Sequence, residues 1–175
     1  EKAENGLNSV YAGGLWVRTS VDPEMQKATQ SSLRSGLLRY HSSRGWHGPI
    51  AKINLDPDVW QSQFVTLNKS IDYANWRVGV VVTRKGSAAT IGFADGSTAA
   101  LTGLPDRLAT GDVIAASPVS KTVYAVRTIP EVSGGMVVTS PETGRVLAVQ
   151  GGFDSGLDSF NRGTQAMRQP GSTIK

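Results

Sequence analysis

Cysteine is absent from the 175 residues, which excludes a disulfide framework and a thiolate zinc site. That absence fits an oxidising compartment without requiring one. Long apolar runs are missing too. No stretch is hydrophobic enough to cross a bilayer and no signal peptide precedes Glu1, so any membrane anchor is expected outside these residues. Blocks of like charge are also lacking. The net charge of +4 is scattered, so a solvated surface is favoured over a dedicated anion site. Histidine is scarce. His41 and His47 have no further ligands at a metal-binding spacing and read as surface or hydrogen-bonded residues. Asp56-Pro57-Asp58, Asp95 and Asp112 do not match a calcium loop. No metal or cofactor is implied.

What is present belongs to a globular chain. Hydrophobic residues make up 39% and charged residues 18%, enough apolar material to bury a core in one domain or two small ones. Residues 14–22 alternate Leu15, Val17 and Val21 with Trp16, Arg18 and Ser20, a two-residue period that predicts a strand. Asp22-Pro23 then supplies a capping carboxylate and a proline at the first helical position. A helix over 23–40 follows, with Met25, Thr29, Leu33, Leu37 and Tyr40 on one face, weakened modestly by Gly36.

From Trp46 the texture changes. Residues 76–84, 88–94, 97–101, 112–117 and 122–128 read as five short strands, which predicts a small barrel or curled sheet. Asp95-Gly96 carries the signal of a two-residue hairpin with positive φ at both positions. The expected barrel core is Val78, Val80, Val82, Ile91, Phe93, Val113 or Ile114, and the pair Tyr124 and Val126. Trp46, Trp60, Phe64 and Trp76 could stack bases or sugars, but only Arg77 and Lys69 lie close by, and they read as packing residues. Asn68-Lys69-Ser70 matches a glycosylation sequon that is common by chance.

After Pro130, residues 134–140 and 145–150 predict a hairpin turned by Pro141-Glu142-Thr143-Gly144. Residues 151–171 are polar and glycine-rich and read as a long loop. Glycines 134–135 and 151–152 read as turns, not as a phosphate-binding loop. The division expected is 1–45, an inserted β-domain over 46–128, and 129–175. The strand 14–22 and the hairpin are expected to share one sheet under the helix 23–40.

The chemistry concentrates at the end. Pro170-Gly171 is a turn that delivers Ser172 to the start of a helix, and Lys175 falls on the same helical face within side-chain reach. A serine hydroxyl is a poor nucleophile until a neighbour takes its proton, and an amine can do so if its pKa falls to near neutrality. Desolvation and nearby cations lower it, and a helix N-terminus favours negative charge at the serine.

The stretch from Phe160 to Lys175 (Phe-Asn-Arg-Gly-Thr-Gln-Ala-Met-Arg-Gln-Pro-Gly-Ser-Thr-Ile-Lys) resembles the segment that leads into the active-site serine of class A penicillin-binding proteins. There it usually reads Phe-Asn-Arg-Ala-Thr-Gln-Ala-x-Arg-Gln-Pro-Gly-Ser-x-Phe-Lys. Ser133–Val138 and Pro141–Gly152 resemble that family's first transpeptidase hairpin. Gly13–Pro23 with Gln26 resembles the stretch entering the domain, and Gly45–Pro49 the junction into its oligonucleotide-binding-like insert. Gly163 stands where alanine is usual and Ile174 where phenylalanine is common. The family's second and third active-site motifs, Ser-x-Asn and Lys-Thr-Gly, are not found downstream of Ser172, Lys121-Thr122-Val123 being no substitute, and its glycan-polymerising domain is absent too.

The resemblance implies an α+β fold, with a five-stranded OB-like barrel inserted into the N-terminal strands and helix of a transpeptidase domain. It implies Ser172 as nucleophile and Lys175 as proton acceptor in serine-type D-Ala-D-Ala transpeptidation. The partners implied are peptidoglycan stem peptides and β-lactams, and the place is the periplasmic side of a bacterial inner membrane. Taken alone, these residues are expected to be inactive. Two other readings stand beside this one. The barrel could be a non-catalytic module that binds a protein regulator, or a nucleic-acid binder, against which the scattered charge argues.

Overall fold

A computed structural model describes residues 16–56, 59–169 and 171–174. Helix α1 (Pro23–His41) begins as its sequence dictates: the Asp22 carboxylate accepts from the Met25 N–H, Pro23 occupies the first turn, and Arg39 and His41 lie in the last. Its buried face keeps Thr29 and Leu37 of the expected stripe and departs from the rest. Thr29, Arg34, Leu37 and His41 are buried, while Met25 and Tyr40 are exposed. The face is turned because Arg34 is drawn inward by a buried carboxylate, described below.

Five strands form the barrel: β2 (Arg77–Lys85), β3 (Ala88–Gly92), β4 (Thr98–Thr102), β5 (Asp112–Pro118) and β6 (Val123–Arg127). They run in the order β5-β2-β3-β4-β6, and a β5–β6 pairing closes the ring. The β4–β6 pair is parallel and the others antiparallel. This is the oligonucleotide-binding-like arrangement. A short strand, β1 (Ala51–Lys52), adds to the outer edge of β5. Helix α2 (Trp60–Thr66) packs outside the barrel. Neither element is evident from the sequence.

The expected core mixes two faces. Val81, Ile91, Phe93, Leu101 and Ile114 fill the interior, with Tyr124 and Val126 packed against them. Val80 and Val113 point the other way, forming a second core with Phe64 beside Trp60, Val78 and Val82. The physical cause is that β2 and β5 are covered on both sides, so consecutive residues Val80 and Val81 are both fully buried. A bulge between Val81 and Thr83 adds to the shift. The turn at Asp95-Gly96 also differs from expectation. Only Gly96 has positive φ there. The Phe93 N–H bonds to the Ser97 carbonyl, and Asp95 Oδ1 accepts from the Ser97 N–H and hydroxyl, giving a longer loop.

A separate hairpin joins β7 (Met136–Thr139) to β8 (Val146–Gln150), with Gly144 at φ 68° in its turn. Helix α1 packs on both strands, and Ala148 beneath it is fully buried. Residues 16–22 were expected to add a third strand, and residues 14 and 15 lie outside the described region. Residues 16–22 form no ladder. They touch the free edge of β8 through the Asp22 N–H on the Leu147 carbonyl and the Ser20 hydroxyl on the Val146 carbonyl. Trp16, Val17 and Val21 remain exposed, so the apolar side of that stretch gains no burial to hold a regular strand.

Candidate functional site

The polar stretch after β8 was expected to be a long loop, and it is tightly fixed. Its neck is the bond from the Arg162 N–H to the Gly151 carbonyl at 2.9 Å. A Cβ on Gly151 would overlap Asn161 Oδ1, and one on Gly135 would lie 2.6 Å from the Gly163 nitrogen. These glycines therefore allow the Asn161–Gly163 backbone to sit directly on the ends of the hairpin. Asn161 organises the turn beyond the neck. Its Oδ1 accepts from the Gly163 N–H at 2.9 Å, its carbonyl accepts from the Thr164 and Gln165 N–H groups, and its own N–H donates to Gln165 Oε1.

Asp158 braces the near side. It accepts from the Phe160 N–H and from Arg162 Nη2 at 2.9 Å. Those two contacts, the backbone one foremost, hold its carboxyl below the usual carboxylate range.

Deeper inside lies a buried ion pair that the sequence reading did not single out. Arg34 Nη2 donates to Asp154 Oδ2 at 2.7 Å, and both side chains are nearly inaccessible. The remaining guanidinium donors reach the Phe153 carbonyl and the Asp72 carbonyl. The only hint available in the sequence is an arginine one position off the apolar stripe of α1.

Ser172 sits in a 3₁₀ turn, Gly171–Ile174, where the structure places an exposed residue. A helix start was expected at this position, and Gly171 at φ 55° provides the bend before it. Lys175 lies outside the described residues, so its expected approach to Ser172 has no geometry here. The two histidines meet: their rings are 4.8 Å apart, and buried His41 bonds to the Gly45 carbonyl and accepts from the Glu131 N–H. Among the described residues, no cluster of His, Asp and Glu could hold a metal ion. The four aromatics are dispersed. Trp46 lies on the barrel core, Trp60 and Phe64 lie in the outer core, and Trp76 packs with Tyr73 and Phe153.

No family model matches the chain. Individual proteins do. Penicillin-binding protein 1A of Rickettsia prowazekii is 39% identical over 183 residues, which cover 98% of this chain. The chain aligns with one segment of penicillin-binding protein 1A. Its Escherichia coli relative of the same name is 30% identical over 95% of the chain. The crystal structure of penicillin-binding protein 1A from Haemophilus influenzae matches 99% of the chain with a TM-score of 0.71 at 25% identity. This chain spans 23% of the Rickettsia protein, 22% of the Escherichia protein and 27% of the Haemophilus chain. The penicillin-binding protein fold thus accounts for the barrel, α1 and the hairpin together.

Proposed function

We propose that the protein is a peptidoglycan synthase in which Ser172 is the transpeptidase nucleophile and Lys175 its proton acceptor. The observation that carries this reading is the segment Phe160–Lys175, whose first half is locked onto the hairpin while Ser172 is presented on an exposed turn. In the reaction, Ser172 Oγ bonds to the penultimate D-alanine carbonyl carbon of a stem peptide. The serine proton passes to Lys175 and on to the departing nitrogen, and the terminal D-alanine leaves. An amine of a second stem then attacks the ester, forming the cross-link and freeing the serine.

The packing of α1 on the hairpin supports a transpeptidase domain made of 1–45 and 129–175, with the OB-like unit 46–128 inserted. Ser-x-Asn and Lys-Thr-Gly groups supplied from outside these residues would complete the pocket, and a separate domain would polymerise glycan. The working place proposed is the periplasmic face of the inner membrane. No helix among the described residues is long and apolar enough to cross a membrane. The test is D-alanine release from a stem-peptide donor by the full-length gene product. Ser172→Ala and Lys175→Ala should each abolish it. Release at an unchanged rate by Ser172→Ala would overturn the proposal.

A further inference from the structure

We infer that Asp154, clamped by Arg34, is a positioning residue for the Ser172 reaction, because it fixes the loop whose neck delivers the chain to the serine. The inference rests on the reading of Ser172 given above. Composition alone would leave 151–161 unordered, yet Phe153 and Asp154 are 6% and 4% exposed. Every oxygen of Asp154 is engaged. Oδ2 accepts from Arg34 Nη2 at 2.7 Å and from the Asp72 N–H at 2.9 Å, and Oδ1 accepts from the Gly156 N–H at 2.9 Å. Its carbonyl accepts from the Leu157 and Asp158 N–H groups.

A charge buried this deeply is costly without its partner. Any other path for the loop would strand the Arg34 guanidinium between α1 and the segment before β2. A single path is thereby selected. From Asp154 the chain turns at Leu157 and Asp158, Asp158 grips Arg162, and Arg162 closes the neck on Gly151. The direction in which the chain sets off toward Ser172 is set at this carboxylate. Asp72 belongs to the stretch leading into β2, so the same group also ties the barrel side to the serine side.

The test uses the full-length gene product and a chromogenic β-lactam, with Asp154→Asn compared against Phe153→Leu. The leucine variant loosens the apolar packing of the same loop and keeps the ion pair. Misplacement of a reacting group by about 1 Å costs on the order of 10²-fold. Asp154→Asn should therefore slow acylation roughly 10- to 100-fold, in the rate constant at saturation and not in ligand affinity. It should also lose exchange protection at the Arg162 amide. Phe153→Leu, compared at an equal loss of melting temperature, should keep both. Should Asp154→Asn not accumulate folded, Arg34→Lys takes its place, with slowing of at least several-fold expected. Wild-type acylation by a folded Asp154→Asn or Arg34→Lys, or equal slowing in Phe153→Leu, would overturn the inference. Acylation surviving in Ser172→Ala would instead overturn the reading of the serine, and Arg162 exchange would still test the clamp.

Discussion

The side-chain amide of Gln26 satisfies both backbone groups of Val149: its Nε2 donates to the Val149 carbonyl at 3.0 Å, and its Oε1 accepts from the Val149 N–H at 2.9 Å. One side chain thus does at the free edge of β8 what a residue of a neighbouring strand would do. With Asp22 on Leu147 it ends the sheet on that side, so an unpaired edge is not left open to other chains.

Gln26→Ala removes both partners from a half-buried strand, and stranded backbone groups cost about 1–3 kcal/mol each. Urea unfolding of the variant should show a loss of about 1–3 kcal/mol in total, because the half-buried strand lets water offset part of the two penalties. A change smaller than about 0.5 kcal/mol would mean that water replaces the amide freely.

Two glycines of the neck should respond in opposite ways. A methyl at Gly151 meets Asn161 side-chain and backbone atoms, and overpacking of this kind costs about 1–3 kcal/mol or more. A methyl at Gly163 meets Val137 Cγ2 at 3.1 Å and Asn161 Oδ1 at 3.3 Å, and both are side-chain atoms that can shift by a few tenths of an ångström, Val137 being exposed. Gly163→Ala, which restores the residue usual at this place in the resembled segment, should stabilise by roughly 0.4–1 kcal/mol through the unfolded chain. Thermal melting of both variants checks the contrast, and a destabilising Gly163→Ala would contradict it.

Much of this architecture was legible in the residues, and the failures have identifiable causes. Asp22-Pro23 announced the start of α1 because capping is local. The barrel strands were marked by β-branched runs and turn glycines. Their inward side was not, because Val80, Val81 and Val82 show no alternation and a bulge follows. Helix α2 has no side-chain cap at Val59 and is short, so it gave no local signal. The order of the 151–161 loop comes from Arg34 and Asp154, which lie far apart along the chain. Such a pairing cannot be read from spacing. The Ser172–Lys175 motif was visible as letters, while the turn that presents Ser172 depends on Gly171 adopting positive φ.

Asp95 predicts an acid response of the barrel. The Ser97 hydroxyl and N–H, then Arg77, lower its carboxyl pKa to about 2. Because the folded value lies below the unfolded value of roughly 3.9, its contribution is complete above the unfolded pKa. It is lost as pH falls through the folded one. The melting-temperature gap between the wild type and Asp95→Asn should be constant near neutrality and shrink between about pH 4 and the folded pKa of about 2. A gap that widens on acidification would contradict the sign.

The central claim is that Ser172 is the acylated serine, and mass spectrometry after incubation with a β-lactam tests it most directly. The full-length gene product should gain one covalent adduct, peptide mapping should place it on Ser172, and Ser172→Ala should gain none. The 175-residue chain by itself should stay unmodified, because Ser172 stands on a single exposed turn without the remaining pocket groups. An adduct on another serine, or one that persists in Ser172→Ala, would contradict the account.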